Sequence, residues 1–539
     1  MVVAARYLSE SVPLPTTGSL THPTHTFRGV VSGIVAGLLM LAATAPAAAM
    51  QQPYGVAPAP TSMNTSPATD VCPAGNQNAP TQTVYLPNIT KTLGGAAGWV
   101  TPFIVQNTGS AATNLEISFY KFSDGSCVAR RTVSTLAAAS SFADVPNNDT
   151  DLPDNTQFSV IVKSFGSTIV SVVNEHAGSG TRAEALSYVG VSTGATTVSL
   201  PNIVRRFFGY HTPFIIQNLG AATTTATASF KPFSGGSSVT VVRNIAPGQS
   251  QFVEPNIEGV LTDGAQYAVT VTSVQPIAVV VNTHNDDATT EKPVAYSTNG
   301  IVAGADAVYG PYAPKNADDL GFVATMSTIV VQNLASLPVA PELAFRPLGG
   351  GLPTTFTGPT TATGAAWAFD LRYQNGIAGG TLCGKVASPG CLADGEYSFV
   401  ASSPGSTLAA AVNVISPTSA MGYTAIAQPA PKIFLPNVTR TLGGATGWTT
   451  PILLQSGAAR AAELQWRRFS DGQLVTTQNV TFALGASIRI DPRNVTGLAE
   501  NTQYAVTISG TDGTIAAVVT ELNFQGGDGT MAYEGFAAP

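Results

Sequence analysis

Beyond its first 27 residues this 539-residue chain holds three histidines, His176, His211 and His284, and general acid–base chemistry would have to be built around them. His176 and His284 stand at matching places, in Asn174-Glu175-His176 and Asn282-Thr283-His284, each after an apolar run. The matching places further along the chain hold Ile415 and Leu522. A position that alternates between histidine, isoleucine and leucine reads as partly buried packing rather than as a proton shuttle. Glu175 and Glu521 also follow apolar runs. Two carboxylates roughly 5 to 10 Å apart could hydrolyse a glycosidic bond, but these two fall in separate stretches of chain, so each is expected to accept hydrogen bonds from loop amides. No serine lies in a nucleophile-elbow pattern, no cysteine pairs with these histidines by a catalytic signature, and no His-Glu-x-x-His helix is present. The chain is expected not to be an enzyme.

Two other patterns could bind a ligand. The segment Asn147 to Asn155 gathers oxygen donors in one loop, as a calcium ion requires, with Asp149, Asp151 and Asp154 as the carboxylates. It lacks the glycine and terminal glutamate of an EF-hand, so a solvated turn is the simpler reading. Asp286 and Asp287 are read in the same way. A structural calcium ion is the one cofactor considered. The second pattern is an aromatic that directly follows a glycine at four places: Trp99, Tyr210, Phe322 and Trp448. Sugar rings stack on exposed aromatics, so these four are the speculative ligand-binding residues, although a repeated packing plug at a strand start is the preferred reading. Trp367 and Trp466 occur once each and are expected to serve local packing.

Positioning these residues is the work of an internal repeat. Tyr85-Leu86-Pro87-Asn88-Ile89 recurs as Ser199-Leu200-Pro201-Asn202-Ile203 and Phe434-Leu435-Pro436-Asn437-Val438, with a degraded copy at Tyr309-Gly310-Pro311-Tyr312-Ala313. The glycine and aromatic follow, then a β-rich segment ending in Gln106-Asn107, Gln217-Asn218, Gln332-Asn333 or Gln455-Ser456. Phe158, Val160 and Val162 alternate with polar neighbours, as do Tyr267, Val269 and Val271, Tyr397, Phe399 and Ala401, and Tyr504, Val506 and Ile508. Period two predicts a half-buried strand. The runs Ile169 to Val173, Ile277 to Val281, Leu408 to Val412 and Ile515 to Val519 predict central strands covered on both faces or carrying small residues outside. Ser123-Asp124-Gly125 and Ser470-Asp471-Gly472 supply the glycine of a hairpin, with Ser234-Gly235-Gly236 and Leu348-Gly349-Gly350 at the same place.

Short strands, turn signals about every ten residues and no helical period predict an all-β chain of four antiparallel β-sandwiches. The expected divisions are 1–49 for an N-terminal extension and signal peptide, 50–82 for a disordered linker, and 83–192, 193–303, 304–429 and 430–539 for repeats 1 to 4. Over about residues 83 to 539 this pattern resembles the tandem immunoglobulin-like repeats of bacterial cell-surface and secreted proteins, although it lacks the paired intersheet cysteines of antibody domains. The resemblance implies a scaffold, binding or adhesive role. Short connections such as Val191 to Ser199 suggest sandwiches packed end to end as a semi-rigid rod.

Export is expected from Arg28, the apolar run Gly29 to Ala43, and the small residues Ala45 to Ala49, with cleavage after Ala47 or Ala49. An uncleaved anchor is the alternative. After signal-peptide removal no membrane insertion is expected, and the protein is placed in the secreted fraction or on the cell surface. Only 10% of residues are charged and the net charge is −7, which opposes a nucleic-acid partner. Cys383 and Cys391 flank a Gly, Pro and Ser loop and are expected to bridge, leaving Cys72 to pin the linker to Cys127. On the chain-entropy model these closures contribute about 2.5 and 4 kcal/mol. The leading expectation is a non-catalytic structural or adhesive repeat protein whose partners are other surface proteins or glycans. A carbohydrate-binding array is the second reading, and a secreted hydrolase with an unrecognised site the third.

Overall fold

The computed structural model describes residues 65–66, 72, 74–95, 98–178, 183–285, 293–319 and 322–538. The expected leader and about two thirds of the linker lie outside these residues, as do Asp286, Asp287 and the side chain of Phe322. By contact the chain divides into residues 1–52 and 53–539, and everything below concerns the second unit.

The described chain is built of strands, and every strand pair is antiparallel. In repeat 1 the strands Gln82–Lys91, Thr113–Lys121, Cys127–Leu136 and Thr156–Phe165 form one sheet. Phe103–Asn107, Ser141–Asp144, Ile169–Ala177 and Glu184–Val189 form the other. Leu86, Phe119, Phe158 and Val160 of the first meet Phe103, Val105, Ile169 and Tyr188 of the second in one buried cluster. The alternation expected at Phe158, Val160 and Val162 is therefore real, and its apolar face is the core. Repeat 4 has the same two sheets. In repeat 2 both meet in one long strand, Ala265–His284.

The repeated Leu-Pro-Asn has a specific structural cause. Proline cannot donate to a ladder and is confined to edges and bulges. The pairing register slips between Leu86 and Ile89, between Leu200 and Ile203, between Gly310 and Ala313, and between Leu435 and Val438. A tyrosine from the last strand of the repeat then serves the bulge. The Tyr188 hydroxyl accepts from the Asn88 amide at 3.1 Å and donates to the Asn88 carbonyl at 2.7 Å. Tyr423 does the same at Tyr312, and Tyr533 donates to the Asn437 carbonyl at 2.6 Å. The Gln-Asn motif is also structural. Asn107 donates to the carbonyls of Ala111, Leu136 and Ala137, and Asn218 and Asn333 bind their own loops in the same way.

The last strands of the repeats, Glu184–Val189, Ala295–Asn299, Ala420–Thr424 and Thr530–Glu534, lie each against the next, and the fourth returns to the first. Asn299 bonds both ways with the backbone of Val189, the Thr424 hydroxyl donates to the Asn299 carbonyl, and the Thr424 amide donates to Glu534. Asp528 closes the circle from repeat 4. Its amide donates to the Ala183 carbonyl at 2.7 Å, and its carboxyl accepts from the amides of Ala295 at 2.7 Å and Ala420 at 3.0 Å. One buried residue thus touches all three other repeats.

This closed ring replaces the expected rod. The cause is the outer face of each apolar strand. Ile215 and Val280 of repeat 2 join the core cluster of repeat 1, Ile104 and Val172 of repeat 1 join that of repeat 4, and Leu453 and Val518 of repeat 4 join that of repeat 3. Burying these side chains against a neighbour removes apolar surface from water that a rod would leave exposed. The runs of repeats 1, 2 and 4 are covered on both faces, with the neighbouring repeat as the second cover, and the run of repeat 3 carries the small Ala409 and Ala411 on its outer face.

Both expected disulfides are present, Cys72–Cys127 with Cα atoms 5.6 Å apart and Cys383–Cys391 with 5.5 Å. Among the described residues no helix is long and apolar enough to cross a membrane.

Candidate functional site

Head-to-tail packing of like units produces like interfaces, and two of them open into clefts with the same lining. Between repeats 1 and 2 the first wall is Asn88, Thr90, Leu93, Trp99, Gln157 and Glu175, and the second is Pro213, Ile215, Phe252, Asn282 and His284. Between repeats 4 and 1 the first wall is Asn437, Thr439, Leu442, Trp448, Gln503 and Glu521, and the second is Pro102, Ile104, Ala143, Asn174 and His176. Every residue of the first cleft has its repeat-equivalent in the second, which Thr450 also lines. Neither lining includes a lysine or arginine.

Each element has a local reason to present its side chain. Trp99 ends a tight loop in which its amide and carbonyl both bond to Leu93, at 2.7 and 3.0 Å, and Trp448 bonds to Leu442 in the same way. A Cβ on the preceding glycine, Gly98, would lie 2.0 Å from the Leu93 carbonyl oxygen, so glycine is required there. The loop delivers the indole to the cleft beside a histidine of the next repeat. Trp99 meets His284 edge-on with ring centroids 5.4 Å apart, and Trp448 meets His176 at 5.6 Å.

At the back of each cleft lies a buried glutamate. Glu175 Oε2 accepts from Asn88 of its own repeat at 2.9 Å and from Asn282 of the next at 3.1 Å. Glu521 Oε1 accepts from Asn437 at 2.6 Å and from Asn174 at 3.2 Å. Gln157 and Gln503 in turn donate to the side-chain oxygens of Asn88 and Asn437, both at 2.6 Å. The second oxygens, Glu175 Oε1 and Glu521 Oε2, are buried and make no hydrogen bond. Burial raises the Glu175 carboxyl to about 8 and the Glu521 carboxyl to about 7, against the lowering effect of the asparagine amides and, at Glu521, of the Ser187 hydroxyl. A protonated acid so held uses one oxygen to accept from two amides and leaves an O–H free to donate. Burial lowers His176 to about 3, so its ring is neutral at ordinary pH.

At the other two interfaces different side chains stand at these places. Between repeats 2 and 3, Ile415 stands where His176 and His284 stand, and it packs with Tyr210 against Val294, Tyr296 and Ala420. Thr283 replaces the glutamate. Between repeats 3 and 4, Arg489 reaches across to Glu396 at 2.5 Å and lies 5.3 Å over the Tyr312 ring. Tyr312 holds the place of Asn88 and Glu396 that of Gln157, and Val414 replaces the glutamate.

The four glycine-linked aromatics therefore divide. Trp99 and Trp448 line clefts, Tyr210 is packing, and Trp448 is itself only 7% exposed. The glutamates were expected to meet loop amides; they meet side-chain amides from two repeats, because the ring brings strands of neighbouring units together. Asn88, Asn437, Gln157 and Gln503 were missed, although the asparagine belongs to the repeated Leu-Pro-Asn and each glutamine directly precedes the aromatic of its alternating strand. The oxygen-rich loop is tied down by cations: Asp149 pairs with Arg131 and Asp154 with Lys91. Among the described residues no group of three or more His, Cys, Asp or Glu side chains is arranged to hold a metal.

No family model matches the chain, and no curated protein matches it. Among solved structures, that of the Thermotoga maritima protein 1070 is similar over 20% of this chain and 93% of its own, at 20% identity and a TM-score of 0.18. These comparisons assign the chain to no family.

Proposed function

We propose that this chain is an exported, non-catalytic binding protein that seats neutral carbohydrate in the clefts between repeats 1 and 2 and between repeats 4 and 1. One observation carries the reading: the set of tryptophan, histidine, glutamate, asparagine and glutamine recurs at two interfaces, while at the two interfaces without it other side chains stand at these places. Sugar hydroxyls both donate and accept, which suits amides and a protonated carboxyl, and the apolar face of a pyranose suits an indole. With no cation in either lining, an anionic ligand would find no counter-charge. One carboxyl per cleft supplies half of what glycoside hydrolysis needs, so the reading is binding and not turnover. The two disulfides fit an oxidising compartment, and two sites on one rigid ring fit an adhesive role through multivalent contact.

The test is a screen of the full chain against an array of neutral glycans, with calorimetric titration of the hits. Two sites per chain are expected. Trp99→Ala and Trp448→Ala should each remove one site, with the far-ultraviolet spectrum unchanged. No retained glycan from a folded chain would overturn the reading.

A further inference from the structure

The two open clefts differ at one wall position. The residue paired across the ladder with the equivalent apolar residue of each repeat is Ala143 opposite Ile104, Phe252 opposite Ile215, Ala368 opposite Val330 and Arg489 opposite Leu453. At the interface of repeats 3 and 4 Arg489 crosses this position to reach Glu396 and the Tyr312 ring. In the cleft between repeats 4 and 1 it is the small Ala143, and Trp448 is the one large aromatic of the lining. In the cleft between repeats 1 and 2 it is Phe252, whose side chain is 45% exposed while it lines the cleft together with Trp99. Trp99 and Phe252 come from different repeats, so this cleft carries an aromatic on each of its walls.

We propose that this wall position sets the size of ligand each cleft accepts, with Phe252 giving the cleft between repeats 1 and 2 a second stacking face for another sugar ring. Ala143 restricts the cleft between repeats 4 and 1 to a single ring. The proposal rests on the carbohydrate reading above. It assigns a specificity role to a large apolar side chain that stands 45% exposed on an edge strand. Arg489 is the limiting case at the same position, where the side chain is long enough to take the ligand's place.

The experiment uses the full chain in a Trp448→Ala background, so that only the cleft between repeats 1 and 2 reports, on an array of neutral glycans graded from one ring to three. Phe252→Ala should weaken two-ring and three-ring glycans by tenfold or more and leave single-ring glycans within twofold. Phe252→Trp should restore the longer ligands. In the reciprocal Trp99→Ala background, Ala143→Phe should raise the preference for two rings over one by a similar factor. Equal weakening of all lengths, or no change in any, would overturn the specificity role while leaving the binding function in place. No glycan retained by the unsubstituted chain would overturn the function and this assignment together.

Discussion

Replacing Asp528 with alanine is expected to lower the stability of the ring by about 2–6 kcal/mol, since two buried amides each lose their acceptor and each such loss costs about 1–3 kcal/mol. The carboxyl of Asp528 is the acceptor for the amides of Ala295 and Ala420, which begin the last strands of repeats 2 and 3. It is buried, and burial together with the charge of Glu184 raises its carboxyl well above the usual range despite those amide bonds. No other residue described here links its own repeat to the remaining three. Asp528→Asn keeps one acceptor oxygen and should fall between the parent and the alanine variant. Urea unfolding of the full chain measures this directly. An alanine variant within 0.5 kcal/mol of the parent, roughly the range of an ordinary surface substitution, would show that the ring closes without this residue.

The second large effect concerns pH. In the unfolded chain Glu175 and Glu521 ionise near 4.5, whereas in the folded protein burial holds the proton to about 8 and about 7. Between these values the folded state binds more protons than the unfolded state. Stability therefore falls as pH rises through that window, by about 1.4 kcal/mol per pH unit for each group in its linear range. His176 acts at the other end. Its folded value of about 3 lies below the ordinary 6.5, so the unfolded state binds the extra proton and stability falls as pH drops below 6.5. The interval from pH 6.5 to 8 lies above the range in which His176 contributes. A Glu175→Gln, Glu521→Gln double variant keeps an oxygen to accept from Asn88, Asn282, Asn437 and Asn174 but cannot ionise. It should show a shallower slope there than the parent and exceed the parent by several kcal/mol at pH 8. A parent and variant with the same slope would show that the buried carboxyls do not control alkaline stability.

The two experiments separate the supports of the ring. Asp528 acts at the end of the last strands, through backbone amides. The glutamates act at the interfaces between repeats, through asparagine side chains supplied by two repeats each, and they also form the backs of the clefts.

Much of this was legible in the chain itself. Leu-Pro-Asn, the glycine-linked aromatic and the alternating strand are local signals, and local signals survive in sequence because backbone geometry near a bulge, a tight loop or a two-sided strand permits few residue types. Both cysteine pairings could be read for the same reason: Cys383 and Cys391 are eight residues apart, and two cysteines remained. The apolar runs were equally plain, and they said that something covers both faces. What they could not say was what the cover is. An isoleucine such as Ile215 buries the same area against the next repeat in a ring as it would in any other enclosed place, and period and composition carry no direction. For that reason the expected rod gave way to a ring. The site followed the ring. Glu175 and Asn282, or Trp448 and His176, are far apart in sequence and belong to different repeats, so no spacing rule could join them. Sequence alone determined the repeat, its strands and its disulfides, because these depend on residues close along the chain or few in number. Tertiary structure alone decided which of four equivalent interfaces stay open, because that turns on single side chains, Arg489 and Ile415 against Ala143 and His176, whose effect exists only once a neighbouring repeat faces them.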